Sequence, residues 1–140
     1  MKLVLDTDVV VAAMRSPRGA SSEILRLARQ GTVTLRVSMP LALEYEAVCS
    51  RPEHRVAAGL SVHETEVFVT AVIALAEPVL THFLWRPQLR DAGDEMVLEA
   101  AINGQVDALV TFNIRDFAPA YTVFGVPTLL PREVIRRIKP

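Results

Sequence analysis

The stretch MKLVLDTDVVVAAM, residues 1–14, decides how the rest of the chain is read. Its apolar character suggests the core of a signal peptide, but Asp6 and Asp8 interrupt what would have to be an unbroken apolar run. The alternative is a short buried strand, Lys2–Leu5, closed by Asp6 and followed by a helix over Val9–Met14. A strand covered on both faces has no polar side to alternate with, so a continuous Leu/Val run is its expected signature. Two carboxylates at the end of such a strand are then candidates for chemistry.

Working outward, short β-rich runs alternate with longer segments of helical period. Further strands are expected at Thr32–Val37, Pro78–His82, Ala108–Thr111 and Thr128–Leu130. Helices are expected at Ala20–Gln30, Leu41–Ser50, Val62–Ala76, Asp94–Asn103 and Arg132–Ile138. Gly31 and Gly104 stand where helix C-caps belong, Ser61 and Glu64 form a capping-box pair, and Pro131 suits a first helical turn. The segments Arg51–His54 and Arg86–Gly93 read as loops. The alternation defines an α/β chain, a three-layer α/β/α sandwich with a mostly parallel central sheet, organised as one domain over residues 1–140.

Composition narrows the class. Of 140 residues, 51% are hydrophobic, enough for one well-formed core, and the formal charge of −1 excludes a broad positive field, so any contact with a polyanion has to be local. Cys49 is the sole cysteine, which excludes an intrachain disulfide and a cysteine metal site, and fits a reducing, cytoplasmic setting. The longest apolar stretch, Val67–Ala76, is too short to cross a bilayer.

The carboxylates are distributed unevenly. Of six aspartates, Asp6, Asp8, Asp91, Asp94 and Asp116 fall in or just beyond the loops that follow expected strands, whereas Asp107 precedes one. In an open parallel sheet those loops share one edge, where ligands bind. Leu41, Glu44, Tyr45 and Val48 follow the spacing of one helical face, which sets Glu44 among inward positions. Asp94, Val97, Leu98 and Ala101 repeat the spacing, with Glu95 and Glu99 assigned to the other side. Asp8 and Asp94 also suit helix caps, Asp116 an ordinary turn, and Glu44 a solvated face. Converging carboxylates repel one another unless a cation neutralises them, and hard oxygen ligands select Mg²⁺ or Mn²⁺, ions that activate water and stabilise charge in phosphoryl transfer.

Other chemistries fit less well. Asp6-Thr7-Asp8-Val9-Val10 also matches the D-x-D-x-[TV] signature of haloacid-dehalogenase-like phosphatases, and receiver domains likewise set aspartates at strand ends. Both need a lysine from a later strand, and the chain holds Lys2 and Lys139 alone. A P-loop fails for the same reason, and no G-x-G-x-x-G follows the first strand. His54, His63 and His82 have no metal-ligand spacing.

The segments LVLDTDVVVAA, PLALEYEAV, RDAGDEMVLEAA and DALVTFNIRDF, in this order, resemble the PIN-domain family of small metal-dependent nucleases, within it the VapC-like toxins. The resemblance spans essentially the whole chain. It implies an Mg²⁺- or Mn²⁺-dependent ribonuclease, often a homodimer, with an antitoxin protein as partner. It implies Asp6, Glu44 and Asp94 as the acidic set, with Asp91 completing an Asp-x-x-Asp pattern. Where many members read Thr-x-Asp, this chain has Thr111-Phe112-Asn113 with Asp116 beyond, and Asn113 and Asp116 are expected to share the fourth position. Asp8 stands where the family usually has Asn.

Substrate contact needs cations outside the acidic set. Thirteen of the fifteen basic residues are arginine, which favours phosphate pairing. Arg15, Arg18 and Arg90, with Thr111 beside the acids, are the candidate substrate-binding residues, while Arg132, Arg136, Arg137 and Lys139 suit either RNA or a solvated helix face. A PIN-like module that binds RNA or protein without cutting it is the competing class.

Overall fold

In the computed structural model, residues 1–81 and 92–139 are described. Lys2–Leu5 forms β1, and its three apolar residues after Lys2 are all buried, as the unbroken Leu/Val run requires. Thr7–Arg15 is α1 and Ala20–Arg29 is α2. Thr34–Ser38 is β2, Met39–Cys49 is α3, Pro52–Ala58 is α4 and Val62–Leu75 is α5. Ala76–Val79 forms β3, Ala92–Asn103 is α6 and Ala108–Val110 is β4. A 3-10 turn over Ile114–Phe117 leads into α7, Ala118–Phe124, then β5, Thr128–Leu129, and α8, Pro131–Ile138.

The five strands form one parallel sheet in the order β3-β2-β1-β4-β5, within a three-layer α/β/α fold. Chain progress runs outward from β1 to β3, then returns to the other side of β1 for β4 and β5. The sheet therefore changes direction between β1 and β4, and a crevice opens there at the carboxyl ends of the strands. Leu3 pairs with Ala108, Val4 with Leu109 and Leu5 with Val110, so the two strands end level. That register fixes Asp6 and Thr111 side by side.

Boundaries differ from the sequence reading where local signals compete. The third strand was expected at Pro78–His82 but runs over Ala76–Val79, because the apolar period of α5 conceals its start; His82 lies outside the described residues. Arg51–His54 is no loop: Pro52 opens α4, since a proline lacks an N–H that the first helical turn leaves unpaired anyway. The other expected loop, Arg86–Gly93, lies outside the described residues up to Asp91, and Gly93 is already in α6. α7 has no counterpart in the sequence reading. The capping box holds, with Ser61 Oγ accepting from the Glu64 N–H at 3.1 Å and Glu64 accepting from the Ser61 N–H at 2.9 Å.

The two glycine caps differ. Gly31 takes φ +80, the left-handed conformation expected of a C-cap, but after α6 that conformation falls to Gln105, at φ 49. Gly104 is needed for space instead. A Cβ there would stand 2.7 Å from the Ala100 carbonyl oxygen and 3.2 Å from Val79 Cγ2, while the Arg36 guanidinium donates to the Gly104 carbonyl and ties β2 to the end of α6. Gly104→Ala is expected to destabilise the protein by about 1–3 kcal/mol, read as a lower urea midpoint at unchanged slope.

Among the described residues no single helix is long and apolar enough to cross a membrane. Cys49 is fully buried, and burial pushes its thiol up to about 11, so it is an inert core residue.

Candidate active site

The end of β1 delivers Asp6 into the crevice. Its backbone N–H bonds to the Val110 carbonyl at 2.8 Å, continuing the β1–β4 ladder by one step. Its side chain then caps α1: Oδ1 accepts from the Thr7 N–H at 2.7 Å, and Oδ2 accepts from the Thr111 hydroxyl at 2.7 Å. Capping of α1 thus belongs to Asp6, not to Asp8. Asp6 is 5% exposed, with both oxygens fixed in position.

Asp8 sits in the first turn of α1, half-buried. Its Oδ2 accepts from the Phe112 N–H at 3.2 Å and from the Asn113 amide at 3.3 Å. Its Oδ1 is buried without a hydrogen-bond partner. Leaving a carboxylate oxygen dry and undonated is costly, and a cation is the natural remedy. Burial and then the charge of Asp8 push the Asp6 carboxyl up to about 7, against the lowering effect of Thr111. Asp8 is also raised, by burial first and by the charge of Asp94 among lesser causes, while the Phe112 N–H opposes the shift. Without a cation the pair relieves its repulsion by retaining a proton near neutral pH.

The remaining expected residues are distributed around this pair. Glu44 is half-buried on α3, beside the fully packed Leu41 and Tyr45 of the same face. Asp94 is half-buried near the start of α6, at the third helical residue and so past the cap position. Asn113 reaches Asp8 directly, and its backbone N–H bonds to the Thr111 hydroxyl at 2.9 Å. Asp116 is exposed on the 3-10 turn, where its backbone N–H bonds to the Asn113 carbonyl at 3.1 Å. Arg15 and Arg18 are exposed at and beyond the end of α1. Asp91 and Arg90, together with Arg86, lie outside the described residues. The C-terminal basic group divides: Lys139 bonds Glu23 at 2.7 Å, whereas Arg132 and Arg137 line separate surface cavities.

Two corrections concern residues that periodicity misjudged. Glu95 and Glu99, assigned to the outer side of their helix, are 4% and 3% exposed. α6 packs on α3 as well as on β1, β2 and β4, so its buried face is wider than the single stripe used to read it. Tyr45 is a second omission. Its phenol donates to the Leu5 carbonyl at the end of β1, and burial, then the charge of Asp6, raises its pKa beyond the ordinary tyrosine range. Tyr45 braces the residue that precedes Asp6; its position on the Glu44 face was the available signal.

Among the described residues, no three acidic, histidine or cysteine side chains already stand close enough to hold one ion. A hard divalent ion needs fewer. Mg²⁺ keeps several waters and is commonly held by one or two carboxylates together with substrate phosphate. Asp6 and Asp8, with one orphaned buried oxygen and raised pKa values, fit that requirement. Thr111→Val tests the coupling. Losing the hydroxyl raises the Asp6 pKa further, so the Mn²⁺-induced thermal shift is expected to shrink at pH 7 and recover above pH 8, with an accompanying stability loss of about 1–3 kcal/mol.

A family model described as PIN domain matches residues 2–115. Among solved structures, the chain is similar to VapBC2 from Rickettsia felis bound to a DNA fragment from their promoter, with a TM-score of 0.65 and 15% identity, covering 93% of this chain and 98% of that one. At that identity the likeness speaks for the fold. No curated protein matches the chain significantly.

Proposed function

The chain belongs to the PIN-domain family, and from that premise we propose that it is a nuclease that hydrolyses RNA phosphodiester bonds with Mg²⁺ or Mn²⁺ held at its acidic crevice. The observation that carries this reading is the pairing of buried Asp6 with half-buried Asp8 at the sheet's change of direction, with one buried Asp8 oxygen orphaned. Asp6 and Asp8 would hold the ion, with Glu44 and Asp94 adding negative charge from α3 and α6, and Asn113 and Asp116 bordering it from the 3-10 turn. When bound, the ion supplies a Lewis acid that activates water and offsets the charge developing on the phosphate.

The residues of the chain prepare the site. Thr7 and Thr111 orient Asp6, and the Phe112 N–H and Asn113 amide orient Asp8, so ion binding needs little side-chain reordering. Arg15 and Arg18, exposed near the end of α1, are available for phosphates on either side of the cut. The sequence resemblance to VapC-like toxins supports a role as the toxin of a toxin–antitoxin pair, acting in the cytoplasm and covered by its antitoxin when silent. Val56, Val62 and Val67 are exposed on α4 and α5 and favour such a partner or a homodimer over a solvated surface.

Incubation of the purified protein with single-stranded and structured RNA in Mg²⁺, Mn²⁺ or chelator tests the reading. Cleavage that depends on the ion is expected. Cleavage that survives chelation, or metal binding without any cleavage, would favour a different activity or the non-catalytic module.

A further inference from the structure

Next to the acidic pair lies a cavity of about 370 Å³ that the proposed chemistry does not use. Ala12 forms part of its wall, four residues beyond Asp8 on the same face of α1, about 6 Å along the helix. Phe112 forms another part. It is 48% exposed although it sits between the buried Thr111 and the end of the acidic site, and its backbone N–H is bonded to Asp8. An aromatic left open beside a phosphodiester-cutting site is available for stacking rather than for the core.

The rest of the lining sets Ser16, Ser21 and Arg132 among the apolar Ala20, Leu130 and Pro131. Ser21 is 4% exposed and lines the cavity. It belongs to the first turn of α2, which receives no side-chain cap from its N-cap residue, Gly19. Glu23, in the same turn, is neutralised by Arg26 at 2.8 Å and Lys139 at 2.7 Å, and therefore does not repel an anion. Arg132 supplies a cation at the cavity's edge from the first turn of α8, where Glu133 is engaged with the Leu130 N–H.

We propose that this cavity is a nucleotide subsite for the RNA strand crossing the acidic pair, with a base stacked on Phe112 and its phosphate taken by Arg132, Ser21 and the open turn of α2. The combination of a π-face, a cation and aligned N–H donors matches a base with its phosphate. The inference rests on the RNA reading above, and it makes Phe112 a specificity-determining position beside the cut.

Binding to the full-length Asp6→Asn protein without metal separates the subsite from catalysis. The probe is a fluorescein-labelled single-stranded pentaribonucleotide followed by anisotropy. Phe112→Leu in that background is expected to weaken binding about 5- to 100-fold and Phe112→Trp to restore it. Arg132→Gln is expected to weaken binding and to lower the log–log salt slope by about one. With each position of the oligomer made abasic in turn, one position should erase the Phe112→Leu effect. Equal affinity of the parent, Phe112→Leu and Arg132→Gln, or no binding by the parent, overturns the proposal. If wild type fails to cut RNA in Mn²⁺ but Phe112-dependent binding persists, the catalytic reading falls while the subsite stands.

Discussion

Asp6→Asn is expected to reduce Mn²⁺-dependent RNA cleavage by about three orders of magnitude or more while making the metal-free protein more stable at pH 8. The loss follows from removing one charge of the pair that would hold the ion, whose contribution to the transition state is several kcal/mol. The gain follows from the same charge. Asp6 has a folded pKa of about 7 against 3.8 for an ordinary aspartate, so between those values the folded state binds more protons than the unfolded one. Stability from this group is therefore full below about pH 4, falls as pH rises through the window, and is lost above pH 7.

Asparagine keeps the cap to Thr7 through its carbonyl oxygen and can exchange a hydrogen bond with Thr111, but it carries no charge to bury. A rise in Tm of about 3–8 °C at pH 8, vanishing toward pH 4, is the expected result. Thermal melts of both proteins across that pH range, with chelator present, provide the check. A variant that is both inactive and less stable at pH 8 would mean that Asp6 is structural first.

Phe117→Ala is expected to have the largest effect on stability, about 3–5 kcal/mol, measured as a fall in urea midpoint. Phe117 is fully buried at the end of the 3-10 turn, which packs on α6, α7 and β5. Its ring is the anchor for the segment that carries Asn113 and Asp116 past the acidic pair. Removing it opens a cavity and loosens Asn113, so Mn²⁺ affinity should fall as well, by less than in Asp6→Asn. If the midpoint falls while Mn²⁺ affinity is unchanged, the turn is held from elsewhere.

The path from sequence to this site was open at some residues and closed at others. β1 was read to its boundaries because a double-covered strand must be apolar throughout, and the carboxylates after it were therefore conspicuous. Asn113 was legible as a neighbour of the acids through the resemblance, and its amide does meet Asp8. Asp116 followed from the same reasoning and lies exposed on the 3-10 turn, its backbone N–H bonded to the Asn113 carbonyl.

What periodicity could not resolve was depth. Glu95 and Glu99 look solvent-facing on a helix assumed to bury one stripe, and only the packing of α6 against both the sheet and α3 shows otherwise. The hydroxyl of Thr111 is a similar case. Its bond to Asp6 depends on β1 and β4 ending level, a register that no local signal in either strand encodes. The pairing of Asp6 with Asp8 was visible as spacing, but the difference in their roles, one a buried cap and the other holding an orphaned oxygen, required the neighbours contributed by β4.

The most direct test of the central claim is calorimetric titration of Mn²⁺ into wild type and Asp6→Asn at pH 8, above the Asp6 pKa of about 7. One saturable site in wild type, accompanied by protection against thermal unfolding and absent from Asp6→Asn, is the result predicted for an ion held at the β1–β4 crevice. Equal binding by the two proteins would contradict it.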